Sequence, residues 1–503
     1  MFIAENIRSM LRPDVDLYVD DSRTILWKPP RSLVMRGVRP HVRDCLRRLA
    51  DGPAHIPELG RALPAGTGTA ALARVLDEVG HLLEHHVLGD SGELMRVLPH
   101  RRLLLCDTPL AAPRTPVRLS RFAYGHAVDG VFVLESPRAA AQVLLTHRTA
   151  GGMAFAMAEP VTPADLADRL GLGLGVVRQL VGLLCGLGLA EAADPPMPGG
   201  PACDGEPVFP EEGDPVLDQW DFHELLFQTR TRPLSAPPHR FRNVHPPEPP
   251  VMPPLPGPAV DLPRPDWAEV HRRDPSLTEA IESRRSVLAP ADRPIGAVEL
   301  GEFLYRVARV RSRYGTGPGV YYDWDSRPPY ERTSRPYPST EHCHELELFV
   351  SVDRCVGIPA GLYHYDPVGH RLESVGAKRA DFAALAADIG RSSGARPDVH
   401  FTVVSRHQRV GWNYASIAHA LTLMHVGILY QTMYLVATAM GLAPCALKNT
   451  GDPHLVRRVF GLTEFKEVPV GAFALGGMPD RLPPGVAPGR WQPVNAWGPA
   501  PSP

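Results

Sequence analysis

Apolar positions along the chain follow two periods, and the switches between them mark out its elements. In the N-terminal half, Leu72, Val75, Leu76, Val79, Leu82 and Leu83 recur at helical spacing and predict one amphipathic helix. Extended segments around Leu17-Tyr18-Val19 and Thr24-Ile25-Leu26-Trp27 precede it. A second region starts with a strand at Val131-Phe132-Val133-Leu134, then a helix opening at Thr162, with Pro163 in its first position and Asp165 in its first turn. A further helix places Val177, Leu180, Val181 and Leu184 on one stripe. Helix pairs flanked by strands form a winged-helix pattern, here met twice. The run Gly171 to Gly175 lies between helices and not after a strand, so it reads as a turn and not as a dinucleotide fingerprint.

In the C-terminal half, Ser276-Leu277-Thr278-Glu279 is a capping box opening a helix that ends in Ser283-Arg284-Arg285-Ser286. A polar loop from Arg335 to Glu345 leads into an alternating strand, Leu346 to Val352. Ala418 to Met440 carries no Asp, Glu, Lys or Arg, and Gly441 ends it. By length alone this helix is able to cross a bilayer. Its two histidines, two tyrosines and three threonines, and the lack of Lys or Arg anchors beside it, predict a buried central helix instead.

Proline placement adds the domain boundaries. The 503 residues allow two to four domains, and the 56 prolines crowd between about Pro195 and Pro265, where missing amide donors and fixed φ oppose helix and sheet. The expected organisation is α+β: winged-helix-like units over 1–108 and 109–194, a Pro-rich linker over 195–266, and a C-terminal domain over 267–503 with a Pro-rich tail. Within the linker, Trp220 to Phe227 has helical spacing and is expected to dock on a neighbouring domain.

Charge narrows the partners. Lys plus Arg is 53 against 55 for Asp plus Glu, so no global basic field attracts nucleic acid. The helix near Val176 to Leu187 carries only Arg178, too little to read a major groove. Capture of a peptide as an added strand is preferred, with a scaffold or dimerisation role as the alternative. Seven scattered cysteines without paired short spacings imply a reducing compartment, and the first residues have no signal-peptide pattern, so the expected location is cytoplasmic. His342 and His344 lack a third ligand of evident spacing, so no metal site is expected.

Three stretches carry candidate chemistry: Arg284, Arg285 and Ser286, able to hold a phosphate or to stand as a solvated pair; the loop before the strand at 346; and Trp412-Asn413-Tyr414 with the later turn Ala446 to Gly451. Together with RPYPST, GLYHYDP, VGILYQTMYLVATAMGLAPCAL and EVPVGAFALG, these segments in their order closely resemble the azoline dehydrogenases of the SagB/ThcOx type, in the nitroreductase superfamily. The resemblance covers 267 to 478, and the paired winged units resemble the precursor-peptide recognition modules found beside such enzymes.

The resemblance implies an FMN-dependent homodimer that oxidises azolines to thiazoles or oxazoles in a ribosomally made peptide. A cyclodehydratase would be its partner, and the precursor's leader and azoline-bearing core its ligands. It places Arg284, Arg285 and Ser286 at the flavin phosphate, Pro338 and Ser339 along the isoalloxazine, and Ala446, Leu447, Asn449 and Gly451 on its opposite side. Tyr414 matches the tyrosine of the family's Lys-Tyr proton-handling couple, but Asn413 stands where the lysine is expected. An amide has no useful basicity near neutral pH. Thr340-Glu341 replaces a small Gly-Gly, and Lys448-Asn449-Thr450 replaces a Gly-rich turn. Lys448 or Glu341 is therefore the candidate for the missing proton-transfer group. The alternatives are a noncatalytic leader-binding subunit and another flavin-dependent reductase.

Overall fold

The computed structural model describes residues 6–20, 22–28, 31–63, 67–90, 92–100, 110–194, 207–231, 247–289, 293–314, 330–414, 416–448 and 451–481. The chain divides into two compact units, Met1–Pro238 and His239–Pro503.

The first unit begins with β1 (Ile7–Leu11), followed by a small antiparallel sheet of β2 (Asp16–Val19), β3 (Arg23–Lys28) and β4 (Arg31–Arg36). Three helices follow, α1 (Pro40–Asp51), α2 (Ile56–Arg61) and α3 (Thr67–Val79), and then a hairpin of β5 (Leu83–Gly89) and β6 (Gly92–Pro99). The helical stripe expected to run to Leu83 stops at Val79: a short 3-10 turn over Gly80–Leu82 leads the chain into β5. The second half contributes β7 (Val117–Leu119), β8 (Tyr124–Val128), β9 (Val131–Glu135), β10 (Ala141–Leu145), α4 (Arg148–Ala156), α5 (Pro163–Leu170), α6 (Leu174–Leu187) and β11 (Ala190–Ala192). Thr162 caps α5 as expected, its hydroxyl accepting from the Asp165 N–H at 3.1 Å. Val177, Leu180, Val181 and Leu184 of α6 are all buried.

The two expected winged units share one six-stranded sheet of order β1-β5-β6-β10-β9-β8, joined where β6 pairs with β10, and one continuous hydrophobic core. The one charge on α6, Arg178, donates to the Ala111 carbonyl at 2.7 Å. Residues expected to be linker carry structure of their own. α7 (Pro210–Gly213) brings Glu211 into a buried position, where it accepts from Ser120 at 2.6 Å and from the Arg121 N–H at 2.9 Å. α8 (Phe222–Arg230), the expected docking helix, sets Phe222 edge-on to Tyr124 and pairs Arg230 with Glu135 at 2.8 Å.

The second unit opens with β12 (Ala259–Asp261), α9 (Trp267–Arg273), α10 (Leu277–Ser283) and α11 (Ala297–Ala308), then β13 (Ser312–Tyr314) and β14 (Arg332–Ser334). β15 (Leu346–Val352), β16 (Gly361–Asp366), β17 (Arg371–Ser374), α12 (Arg379–Ser393), β18 (Val399–Arg406), α13 (His407–Gly411), α14 (Ala418–Ala439), β19 (Leu442–Leu447), α15 (Pro453–Phe460) and β20 (Glu467–Gly477) complete it. Seven strands form an antiparallel sheet of order β12-β17-β16-β15-β18-β20-β19. β12 corrects the linker reading: the three residues Ala259 to Asp261, between Pro258 and Pro263, pair with β17 at the sheet's edge, where proline is tolerated.

Every residue of β15 is buried because both faces of the sheet are covered. Leu348, Val350, Phe401 and Phe473 on one face pack with α11 and α14. Phe349, Leu362 and Val404 on the other pack with α12 and α15. The charge-free helix α14 is buried along one side only, through Thr422, His425, Val426, Leu429, Met433 and Ala437. Leu423, Met424, Gly427 and Gln431 are exposed, so the expected burial holds along one side of the helix.

One end of the sheet is ionic. His364 lies opposite Glu373 in register and reaches Glu347 at 3.4 Å and Glu373 at 3.5 Å, and Arg406 reaches Glu347 at 3.4 Å, all four being buried. Burial alone would raise the Glu347 carboxyl, but the hydrogen bond from His364 and the charges of Arg335 and Arg406 outweigh it and hold the group down at about 2. Glu347→Gln leaves the charges of His364 and Arg406 less compensated and is expected to cost roughly 3–5 kcal/mol in urea denaturation at neutral pH. Because the folded pKa lies below the ordinary 4.5, this stabilisation is complete above that pH and fades as pH falls toward about 2. An acid titration of stability should show that limb in the wild type and lose it in the variant.

Candidate functional site

α10 ends at Ser283, and Arg284 turns extended, with φ −54° and ψ 130°, so the chain leaves the helix with Arg284, Arg285 and Ser286 in succession. The Val287 N–H donates to the Pro444 carbonyl at 2.8 Å, which fixes this exit beside β19. Tyr434 of α14 joins the two segments. Its hydroxyl accepts from the Ala446 N–H at 2.7 Å and shares a hydrogen bond with Ser286 at 2.8 Å, while the Arg284 guanidinium sits 5.1 Å from its ring centre. The sequence-separated residues Arg284, Ser286 and Ala446 thus meet at one phenol.

Arg284 and Arg285 are half-buried and Ser286 is exposed. Arg284 has no carboxylate partner among the described residues. Two guanidinium groups and a hydroxyl without an internal counter-charge at Arg284 are a donor set suited to a phosphate, as the flavin reading requires. Leu447 ends β19 half-buried, Lys448 follows it exposed, and Asn449 lies outside the described residues. Gly451 has φ +88°, and a side chain there would come within 2.8 Å of the Asp388 carboxylate, so this end of the turn needs glycine.

The loop between β14 and β15 carries the second group of expected residues. Pro338 is exposed, and Ser339 and Thr340 are half-buried. Glu341, His342 and His344 adopt φ of 47°, 56° and 43°, three left-handed non-glycine residues within four positions. Hydrogen bonds hold them there: the His344 N–H donates to the Ser339 hydroxyl at 2.9 Å, Arg332 to the Glu341 carbonyl at 3.1 Å, and Arg409 to the Cys343 carbonyl at 3.0 and 3.2 Å. Thr340 donates its N–H to His425 of α14 at 2.9 Å, and His425 meets the fully buried Glu345 at 2.8 Å. Burial brings His344 down to about 2, with Arg335 adding to the effect, so its ring is neutral.

Asn413 lies on the buried side of this loop. Its amide donates to the Cys343 thiol at 3.6 Å, and only 3% of it is exposed. Trp412 stacks on Tyr330 with ring centres 5.0 Å apart, and Tyr330 donates to the carbonyl of the fully buried Arg409 at 2.8 Å. Tyr414 packs half-buried on the same cluster. Burial pushes the Cys343 thiol up, which agrees with a packed side chain and not a reactive thiolate. The expected site residues therefore fall into two groups, one around Tyr434 and one around Cys343.

Sequence reasoning passed over Tyr434, Tyr430, His425, Glu345 and Arg409. The legible signal was the spacing of Tyr430 and Tyr434, one helical turn apart in an apolar helix. Tyr430 accepts from the Ala472 N–H at 2.6 Å, and its burial raises its phenol to about 12.

Residues 117–235 match the family model of the cyanobactin oxidase ThcOx, and residues 360–477 match that of the nitroreductase family. These two matches, each over about a quarter of the chain, support a likeness to the SagB/ThcOx-type nitroreductases, and both matched families are oxidoreductases. Nitroreductase-family proteins are flavin-dependent. A Methanocaldococcus jannaschii protein named as a nitroreductase, MJ1384, is 23% identical over 209 residues, 42% of this chain and 93% of its own. A crystal structure named as a nitroreductase from Ralstonia eutropha JMP134 is 22% identical, covers 47% of this chain and 100% of its own, and has a TM-score of 0.33. The Escherichia coli microcin synthetase McbBCD complex, with truncated pro-MccB17 bound, is 19% identical and covers 40% of this chain and 73% of its own, with a TM-score of 0.31.

Tyr434→Phe leaves the Ala446 N–H without its acceptor and Ser286 without its partner. Its expected cost is about 1–3 kcal/mol, to be read in chemical denaturation, and a variant as stable as wild type would show that the phenol does not tie these segments.

Proposed function

We propose that the protein is an FMN-dependent dehydrogenase that oxidises azolines to azoles in a ribosomally synthesised peptide. The meeting of segments 284–286 and 446–448 at Tyr434 carries this reading. It sets a phosphate-type donor cluster beside the turn that the resemblance assigns to the flavin ring. Arg284, Arg285 and Ser286 would hold the phosphate, and the loop at Pro338 and Ser339 and the turn after Ala446 would hold the ring. FMN, when bound, would supply a two-electron acceptor for the hydride lost from the ring CH₂ of the azoline.

The chain's own residues then have to orient the azoline and remove one proton from the former α-carbon. Tyr414 stands next to the position that the family gives to lysine. Asn413 is turned toward Cys343 and has no basicity, so Lys448 and Glu341 are the side chains left to move that proton. The exposed side of α14, with Leu423, Met424 and Gly427, suits a second copy of the chain and so supports a homodimer. In the first unit, β8 is an edge of the six-stranded sheet, where a leader peptide would add as a further strand through backbone hydrogen bonds. A cyclodehydratase would supply the azoline.

The burial of Asn413 against Cys343 favours one other reading, a leader-binding subunit without turnover. The purified protein separates the two. A yellow protein that releases FMN on denaturation, and whose Arg284→Ala variant binds FMN at least about tenfold more weakly, supports the dehydrogenase. Colourless protein that takes up no added FMN supports the other. On an azoline peptide, Tyr414→Phe and Lys448→Ala should each slow azole formation about tenfold or more. Unchanged turnover in Lys448→Ala would remove Lys448 from the mechanism.

A further inference from the structure

The connection Thr340–His425–Glu345 has the form of a nucleophile triad: hydroxyl to imidazole at 3.0 Å and imidazole to carboxylate at 2.8 Å. One further bond decides what it does. The Thr340 backbone N–H, which is only a donor, also points at the same ring nitrogen, His425 Nε2, at 2.9 Å. Nε2 must therefore be unprotonated, and the ring hydrogen sits on Nδ1, donated to Glu345. Taking a proton at Nε2 would break the bond to the amide. The imidazole is already committed to holding the chain.

What it holds is costly to hold. Glu341, His342 and His344 are left-handed without being glycine, at about 1–2 kcal/mol each. The bonds from Arg332 and Arg409 grip this loop at Glu341 and Cys343, toward its exit. His425 grips its front at Thr340, directly after Pro338 and Ser339. With 2% of His425 exposed and none of Glu345, the grip is shielded from competition by water.

We propose that His425, oriented by Glu345, is a positioning residue that fixes the loop 338–345 in its binding shape before the cofactor arrives. That this loop faces FMN rests on the function proposed above. The fixing of the loop does not.

Hydrogen exchange on FMN-free protein tests it directly. His425→Ala is expected to speed exchange of the amides of 338–345 by roughly tenfold and to weaken FMN binding by a similar factor. His425→Gln, whose amide offers both an acceptor and a donor, should restore both. Thr340→Val, which removes the hydroxyl and keeps the N–H, should leave the loop's exchange as in wild type. If His425→Ala does not fold, Glu345→Leu takes its place: without the carboxylate the ring hydrogen is free to move to Nε2, and the loop should be released likewise. Unchanged exchange in His425→Ala or Glu345→Leu overturns the proposal. So does a His425→Gln protein with normal exchange and FMN affinity but no turnover, since that marks His425 as a proton carrier. A wild type that takes up no FMN defeats the proposed function, while the exchange result still decides on the clamp.

Discussion

A main-chain N–H screened from water needs an acceptor, and in the second unit three part-buried ones find theirs on one helix. Tyr430, Tyr434 and His425 of α14 accept from Ala472, Ala446 and Thr340. An unpaired amide in such surroundings costs more than any one of these bonds contributes. These polar side chains of a charge-free helix therefore fix β20, β19 and the loop before β15 against a common support. The two groups of expected site residues are held by the same helix. His425 and Tyr434 are nine residues apart, about 14 Å along its axis.

A second set of polar groups acts on the opposite side of the sheet. Glu347, His364, Glu373 and Arg406 form a buried ionic row, and the proline-rich lead-in is tied to it: the Leu255 N–H donates to Glu373 at 2.9 Å, and Glu248 meets Arg406 at 3.3 Å and Lys466 at 3.0 Å. The carbonyl of Glu248 accepts from Arg409, whose guanidinium also holds the Cys343 loop. The lead-in, the sheet and the Cys343 loop are thus linked through two arginines that sit three residues apart.

Much of the fold was legible in the sequence. The strand at 346–352, the helix capped by Thr162 and the long helix closed by Gly441 follow from period, cap and breaker alone. The place of Arg284, Arg285 and Ser286 just past the end of α10 was legible as well. Period and composition do not reveal which distant segments share an acceptor. Nothing local to Tyr434 announces that it receives an amide from β19, and His425 reads as an ordinary core histidine until Thr340 is placed beside it. The proline-rich stretch misled for a related reason. Proline counts oppose pairing in general, but three free residues suffice for an edge strand when the partner, β17, comes from more than a hundred residues away.

The left-handed run at Glu341, His342 and His344 also limits how this molecule can diverge. Valine, isoleucine and threonine are excluded there by backbone sterics, and chiefly glycine, asparagine and aspartate fit more comfortably. Drift in this loop is therefore confined to a narrow alphabet. Substitution has more freedom after β19, where Lys448 is exposed, and that is where variation among sister proteins should accumulate.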